Sequence, residues 1–130
     1  DMGEEKICRF VEVAVSYDAN IDLAREIMQS EMTNHPLFID VRTPEDIEQG
    51  IPLARVRVIA LQDSGILLRG YAWAQNAADA FGMGCDLLES IKKAFDKKGV
   101  EIPVPYRMLQ VKGPIEIKRS PDLRSERENE

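Results

Sequence analysis

From Asn76 to Lys98, Ala77, Ala80, Phe81, Gly84, Leu87, Leu88, Ile91, Ala94 and Phe95 recur at steps of three and four. That spacing puts them on one face of a long helix. A single apolar face needs a partner, so the helix is expected to lie on a sheet or another helix. Its ends are legible too. Asn76 is suited to cap the first turn, and Asp79 places negative charge where the helix dipole favours it. Lys92, Lys93, Lys97 and Lys98 crowd the last turns, and Gly99 suits the left-handed position beyond them. Gly82 and Gly84 weaken the first half and are expected to permit close approach to a neighbouring surface.

The period changes elsewhere. In Ile7–Tyr17, Val11, Val13, Val15 and Tyr17 alternate with Glu12, Ala14 and Ser16, which predicts a strand. Asp18-Ala19-Asn20 turns the chain. Asn20 caps a helix from Ile21 to about Met32, with Ile21, Ala24, Ile27, Met28 and Glu31 or Met32 inward. Thr33-Asn34-His35-Pro36 ends it, because the residue before a proline resists helical geometry. Leu37 to Leu53 reads as an extended connector with little core contribution, broken by a turn or single helical turn starting at Pro44. Arg55–Leu61 and Ile66–Ala74 form a hairpin across Gln62-Asp63-Ser64-Gly65. Val56, Val58 and Ala60 share one face of the first of these strands. After the long helix, Pro103 and Pro105 hold the chain extended into a fourth strand, Tyr106–Val111. Residues 1–6 and Lys118–Glu130 carry no apolar period and are expected to be flexible.

The order strand, helix, hairpin, helix, strand predicts an α+β domain over residues 7–117. Its expected form is the ferredoxin-like β-α-β-β-α-β arrangement, a four-stranded antiparallel sheet with two helices on one face. The other sheet face then carries Arg55, Arg57, Ile59, Arg69, Tyr71 and Trp73. Such a mixture of arginine and aromatic side chains suggests contact with another domain or subunit.

Composition narrows the class. The chain has 130 residues, 44% hydrophobic and 31% charged, enough for one globular domain. A net charge of −6 and the lack of a basic stripe argue against nucleic-acid binding. Cys8 and Cys85 are far apart without metal-site spacing and fit a reducing compartment, where they pack as small hydrophobes. No apolar run approaches a bilayer span, and no signal-peptide pattern opens the chain. A start at Asp1 suggests a piece excised from a longer protein.

Candidate chemistry is sparse. Phe38–Pro52, FIDVRTPEDIEQGIP, superficially resembles the opening of rhodanese sulfurtransferases. Those enzymes need a nucleophilic cysteine in a loop of backbone N–H groups. Here the downstream cysteine, Cys85, falls inside the long helix, and Gln49-Gly50-Ile51-Pro52 lacks the expected histidine. His35, the sole histidine, reads as a helix-end charge or surface residue. Asp18, Asp22, Asp40, Glu45, Asp46 and Glu48 lack calcium-loop spacing. No catalytic, cofactor-binding or metal-binding residue is assigned, and no cofactor is expected.

Three segments taken together are more specific: YDANIDLAREIM (Tyr17–Met28), RVIALQDSGILLRGYAWA (Arg57–Ala74) and DLLESIKKAFDKKGVEIPVPYR (Asp86–Arg107). Tyr17, Asp18, Asp22, Trp73, Leu87, Leu88, Ile91, Phe95, Gly99, Ile102, Pro103 and Pro105 follow one family's pattern. In their order and spacing they resemble the C-terminal cytoplasmic α/β domain of small-conductance mechanosensitive channels. The connector Asp40–Pro52 is longer and more acidic than that pattern. The family's pore helices and middle β domain are absent from this chain.

The resemblance implies a non-enzymatic subunit of a homo-heptameric channel in the inner membrane, with this domain on the cytoplasmic side. Such a channel releases ions and small solutes on hypo-osmotic shock. The domain would wall a cage whose portals bias ion entry through their charge. Its partners would be copies of itself, permeating solutes, and the membrane through segments outside this chain. The isolated piece is expected to be a monomer or weak oligomer. Two other classes are weighed: a ferredoxin-like ligand-sensing or protein-interaction module using the Asp18-Ala19-Asn20 turn, and the sulfurtransferase.

Overall fold

The computed structural model describes residues 5–105 and Gly113. The expected fourth strand at Tyr106–Val111, and nearly all of both expected flexible ends, lie outside the described residues. Within them the order is β1 (Ile7–Val15), α1 (Ile21–Asn34), α2 (Pro44–Glu48), β2 (Arg55–Leu61), β3 (Ile66–Ala74) and α3 (Ala77–Lys98). The sheet is antiparallel and three-stranded, ordered β1-β3-β2. The fold is therefore α+β.

Strand alternation decides which face is covered. In β3 every second residue from Ile66 to Ala74 is buried and those between are half-buried. Val11 pairs with Gly70, Val13 with Leu68 and Val15 with Ile66, so their side chains share the covered face. Both helices lie over it. A Cβ on Gly70 would sit 2.8 Å from Sδ of Met32 in α1. One on Gly84 of α3 would sit 2.5 Å from Nε of Arg9 in β1. Between these layers the core gathers Val11, Val15, Ala24, Met28, Met32, Leu68, Met83, Leu87, Ile91 and Phe95, each no more than 1% exposed. Fully burying side chains of this size is worth roughly 1.5–3 kcal/mol each.

The caps follow the sequence. Asn20 Oδ1 accepts from the Leu23 N–H at 3.1 Å, and Asn76 Oδ1 from the Asp79 N–H at 2.9 Å. Gly99 closes α3 in the left-handed region at φ 76°, its N–H donating to the Phe95 carbonyl.

Four expectations need correction. The buried stripe of α3 is narrower than predicted. Met83 is fully buried, but Phe81 is 61% and Leu88 47% exposed, and Ala77 is exposed too. The physical reason is a one-sided neighbour. α1 flanks α3 on the side of Ser90 and Ala94, while Phe81 and Leu88 lie on the flank turned away from it. A Cβ on Gly82 would meet nothing within 4 Å, so only Gly84 serves a close approach. In β2 a bulge between Val58 and Ala60 shifts the register. Ala60 then pairs with Leu67, on the row of Arg69 and Tyr71, and leaves the face of Val56 and Val58.

The connector is the fourth. Leu37 and Phe38 pack against the core and Ala54 is buried in it. The Ile39 N–H donates to the Trp73 carbonyl at 3.0 Å, running the connector along β3 where β2 has not begun. At the connector's exit, Gln29 of α1 donates to the Ala54 carbonyl at 2.9 Å, and Arg25 to that of Val56 in β2 at 3.2 Å. Backbone groups satisfied this way make the connector a fixed part of the fold.

Candidate functional site

The second face of the sheet is the most distinctive surface. Register places Cys8 opposite Trp73, Phe10 opposite Tyr71 and Glu12 opposite Arg69. On the other side Arg55 lies opposite Tyr71 and Arg57 opposite Arg69. This reproduces the expected arginine and aromatic row, with Phe10 and Glu12 added from β1. Period-two alternation in β1 carries that signal, because Cys8, Phe10 and Glu12 all fall opposite to Val11 and Val15.

The row divides into two parts of different character. Near its centre, charge is satisfied. Arg69 Nη2 lies 2.6 Å from Glu12 Oε2, and its Cζ lies 4.2 Å from the Phe10 ring centroid. That ring meets Tyr71 edge-on, centroids 5.3 Å apart at 77°. The bond to Glu12 holds the Arg69 guanidinium above its usual pKa range. Towards the connector lies a cleft of about 450 Å³. Tyr71 and Trp73 line it beside Arg55 and Arg57, and Val41, Ile51, Pro52 and Leu53 of the connector frame it.

The connector's wall is self-braced. Arg42 donates from Nε and Nη2 to the two oxygens of Asp40 at 3.0 and 3.1 Å, and from Nη1 to the Ile51 carbonyl at 3.2 Å. The guanidinium's hydrogen bonds hold the Asp40 carboxyl below its ordinary value. Thr43 and Asp46 form a reciprocal capping box at the start of α2, with Pro44 in the first turn. The Asp, Arg, Thr and Asp of the rhodanese-like stretch thus fasten a single helical turn.

Other candidates are placed as follows. Cys85 is exposed on α3 and does not pack as a core hydrophobe. Cys8 is half-buried in the cleft wall, where burial raises its thiol pKa and keeps it protonated. His35 departs from the surface expectation: it ends α1, its side chain is 9% exposed, and Nε2 lies 2.8 Å from Asp86 Oδ2. Nδ1 accepts the Leu37 N–H at 3.1 Å, so a neutral ring carries its proton on Nε2. This joins α1, the connector and α3. The Asp18-Ala19-Asn20 turn is committed to backbone and capping bonds, with the Ala19 N–H donating to the Ser16 carbonyl at 3.0 Å. Tyr17 Oη donates to the Gln62 carbonyl across the sheet end. Among the described residues no group of three or more His, Cys, Asp or Glu is gathered to hold a metal. None of their helices is long and apolar enough to cross a membrane.

This geometry defines an α+β module whose most distinctive feature is an uncovered sheet face of arginine and aromatic side chains, its one histidine engaged structurally and not with a nucleophile. A family model described as mechanosensitive ion channel MscS, C-terminal, matches residues 11–102, more than half of the chain. The chain belongs to that family, in its C-terminal domain. Among solved structures it is similar to Helicobacter pylori MscS in the closed state, with a TM-score of 0.63 and 20% identity. The match covers 82% of this chain and 39% of that one, so this chain spans well under half of that channel's length. No curated protein matches.

Proposed function

We propose that this chain is a wall segment of the cytoplasmic cage of a tension-gated channel. The assembled protein would be a homo-heptamer in the inner membrane, anchored by segments outside this chain. It would pass ions and small solutes on hypo-osmotic shock. The domain itself makes and breaks no bonds. The observation carrying this reading is the family match, unbroken from β1 through α3 to Ile102.

The finer architecture is part of the proposal: one domain over residues 7–117, flanked by flexible ends, with a fourth strand beside β1 in ferredoxin-like order. β1 is an edge among the described strands, and nine residues of open edge invite pairing. The Ser16 N–H donates to the Glu101 carbonyl at 2.9 Å, starting the chain after α3 along that edge. Pro103 then packs across the end of β1 against Gly65 of the hairpin turn, so a fourth strand would pair with β1 only beyond that point. A strand there would run beneath the open flank of α3 at Phe81 and Leu88.

The test is reconstitution. The longer protein carrying this domain, purified in detergent, should run as a seven-subunit particle by native mass spectrometry. A monomer under conditions that keep the membrane segments folded would refute the assembly. The fourth strand is checked separately, by slow amide exchange across Tyr106–Val111. Exchange there at unprotected rates would remove it.

A further inference from the structure

We infer that the cleft between the connector and the second sheet face is a binding site for a small organic anion, a carboxylate or phosphate ester on a flat apolar body. This rests on the fold and not on the channel reading.

Charge comes first. The chain is acidic overall, yet this sheet face carries Arg55, Arg57 and Arg69, with Arg42 on the wall above. Arg69 is neutralised by Glu12 and Arg42 by Asp40. Arg55 and Arg57 form no ion pair among the described residues and are exposed. Arg57 stands opposite Arg69, whose charge Glu12 already takes up, so Arg57 itself is left without a counter-charge. The one carboxylate in the lining, Asp46, is tied to the Thr43 backbone N–H at 3.0 Å.

Shape and polarity come second. The cleft's volume, about 450 Å³, falls in the range of small-molecule sites. Tyr71 and Trp73, both half-buried, line it, and Val41, Ile51, Pro52 and Leu53 add apolar surface beside Arg42 and Asp46. A planar body would stack on the aromatic floor while its anionic end meets two guanidiniums able to grip carboxylate or phosphate oxygens. Inorganic anions would gain only the second contact, and neutral aromatics only the first. The wall is prepared in advance, because Asp40, Arg42 and the α2 capping box fix the connector without a ligand.

Trp73 is the sole tryptophan, so its fluorescence reports the cleft directly. The 130-residue chain is titrated with benzoate, phenyl phosphate, inorganic phosphate and benzyl alcohol. Benzoate or phenyl phosphate should give a saturable change with a Kd near or below roughly 1 mM, at least about tenfold tighter than the other two. The two anionic probes distinguish a carboxylate site from a phosphate site. The double variant Arg55→Gln/Arg57→Gln, at exposed positions, should keep its melting temperature and weaken that binding at least about tenfold. Raising the salt should weaken wild-type binding too. Equal response to benzyl alcohol, no saturation with either aromatic anion, or unchanged affinity in the folded double variant would overturn the site.

Discussion

Gly65 offers a test in which one methyl group probes the path of the chain leaving α3. Gly65 does not occupy the left-handed region, so alanine meets no backbone strain there. The obstacle is space. A Cβ would lie 2.6 Å from the Val15 carbonyl oxygen and 2.6 Å from Cγ of Pro103. Both fall well short of ordinary van der Waals contact, and neither neighbour is the free end of a long side chain. Relief requires moving the end of β1 or lifting the exit segment off β3, so Gly65→Ala should cost about 1–3 kcal/mol. For a domain of this size each kcal/mol lowers Tm by roughly 4–8 °C. Two internal controls bracket the effect. Gly82→Ala meets nothing within 4 Å in a helix interior and should stabilise by up to about 1 kcal/mol. Gly84→Ala gains the same propensity but must displace the flexible Arg9 side chain, and should fall near neutral. The assay is urea unfolding of the three variants followed by circular dichroism. Gly65→Ala as stable as Gly82→Ala would refute the packing of Pro103 against the hairpin.

Other measurements address the site and its supports. His35→Ala leaves the Leu37 N–H without its acceptor and Asp86 without its partner. It should cost about 1–2 kcal/mol. A double-mutant cycle with Asp86→Ala should give a coupling of no more than about 1 kcal/mol, because Asp86 is 67% exposed. In an alkylation time course near pH 8, Cys85 should react first. Cys8 should lag because burial raises its pKa, and its rate should rise on unfolding. Asp40 should titrate below the ordinary 3.8 by NMR, and Arg42→Gln should return it towards that value. Because folding depresses this carboxyl, its ion pair supports the native state above the unfolded carboxyl's pKa. That support is lost as pH falls through the folded value.

How much of this is readable without coordinates depends on the range of the interactions. Caps at Asn20, Asn76 and Gly99 are set within a turn or two of chain, and they stand where the residues place them. The same holds for the alternation in β1 and β3, which assigns Arg69, Tyr71 and Trp73 to the uncovered face. Where a neighbour decides, pattern is insufficient. Phe81 and Leu88 are as apolar as Leu87, but only α1's position determines which flank of α3 is covered. The β2 bulge moves Ala60 across the sheet, and the unbroken apolar run Val58–Leu61 offers no alternation that would mark it. The connector escapes a reading by pattern because its fastening is polar: Asp40–Arg42, Thr43–Asp46 and the Ile39–Trp73 bond leave no hydrophobic period. The cleft needs both the sheet face and that fastened connector. Alternation reveals its floor, and only the folded chain reveals its wall.

The central claim, a cytoplasmic wall of a tension-gated pore, is most directly tested by patch recording. Membrane patches containing the longer protein that carries this domain, in cells stripped of their own mechanosensitive channels, are placed under rising suction. Conductance that switches on with tension, and is lost when the protein is not expressed, is the predicted result. Patches in which the protein is demonstrably inserted and assembled, yet silent up to the tension that ruptures the membrane, would contradict it.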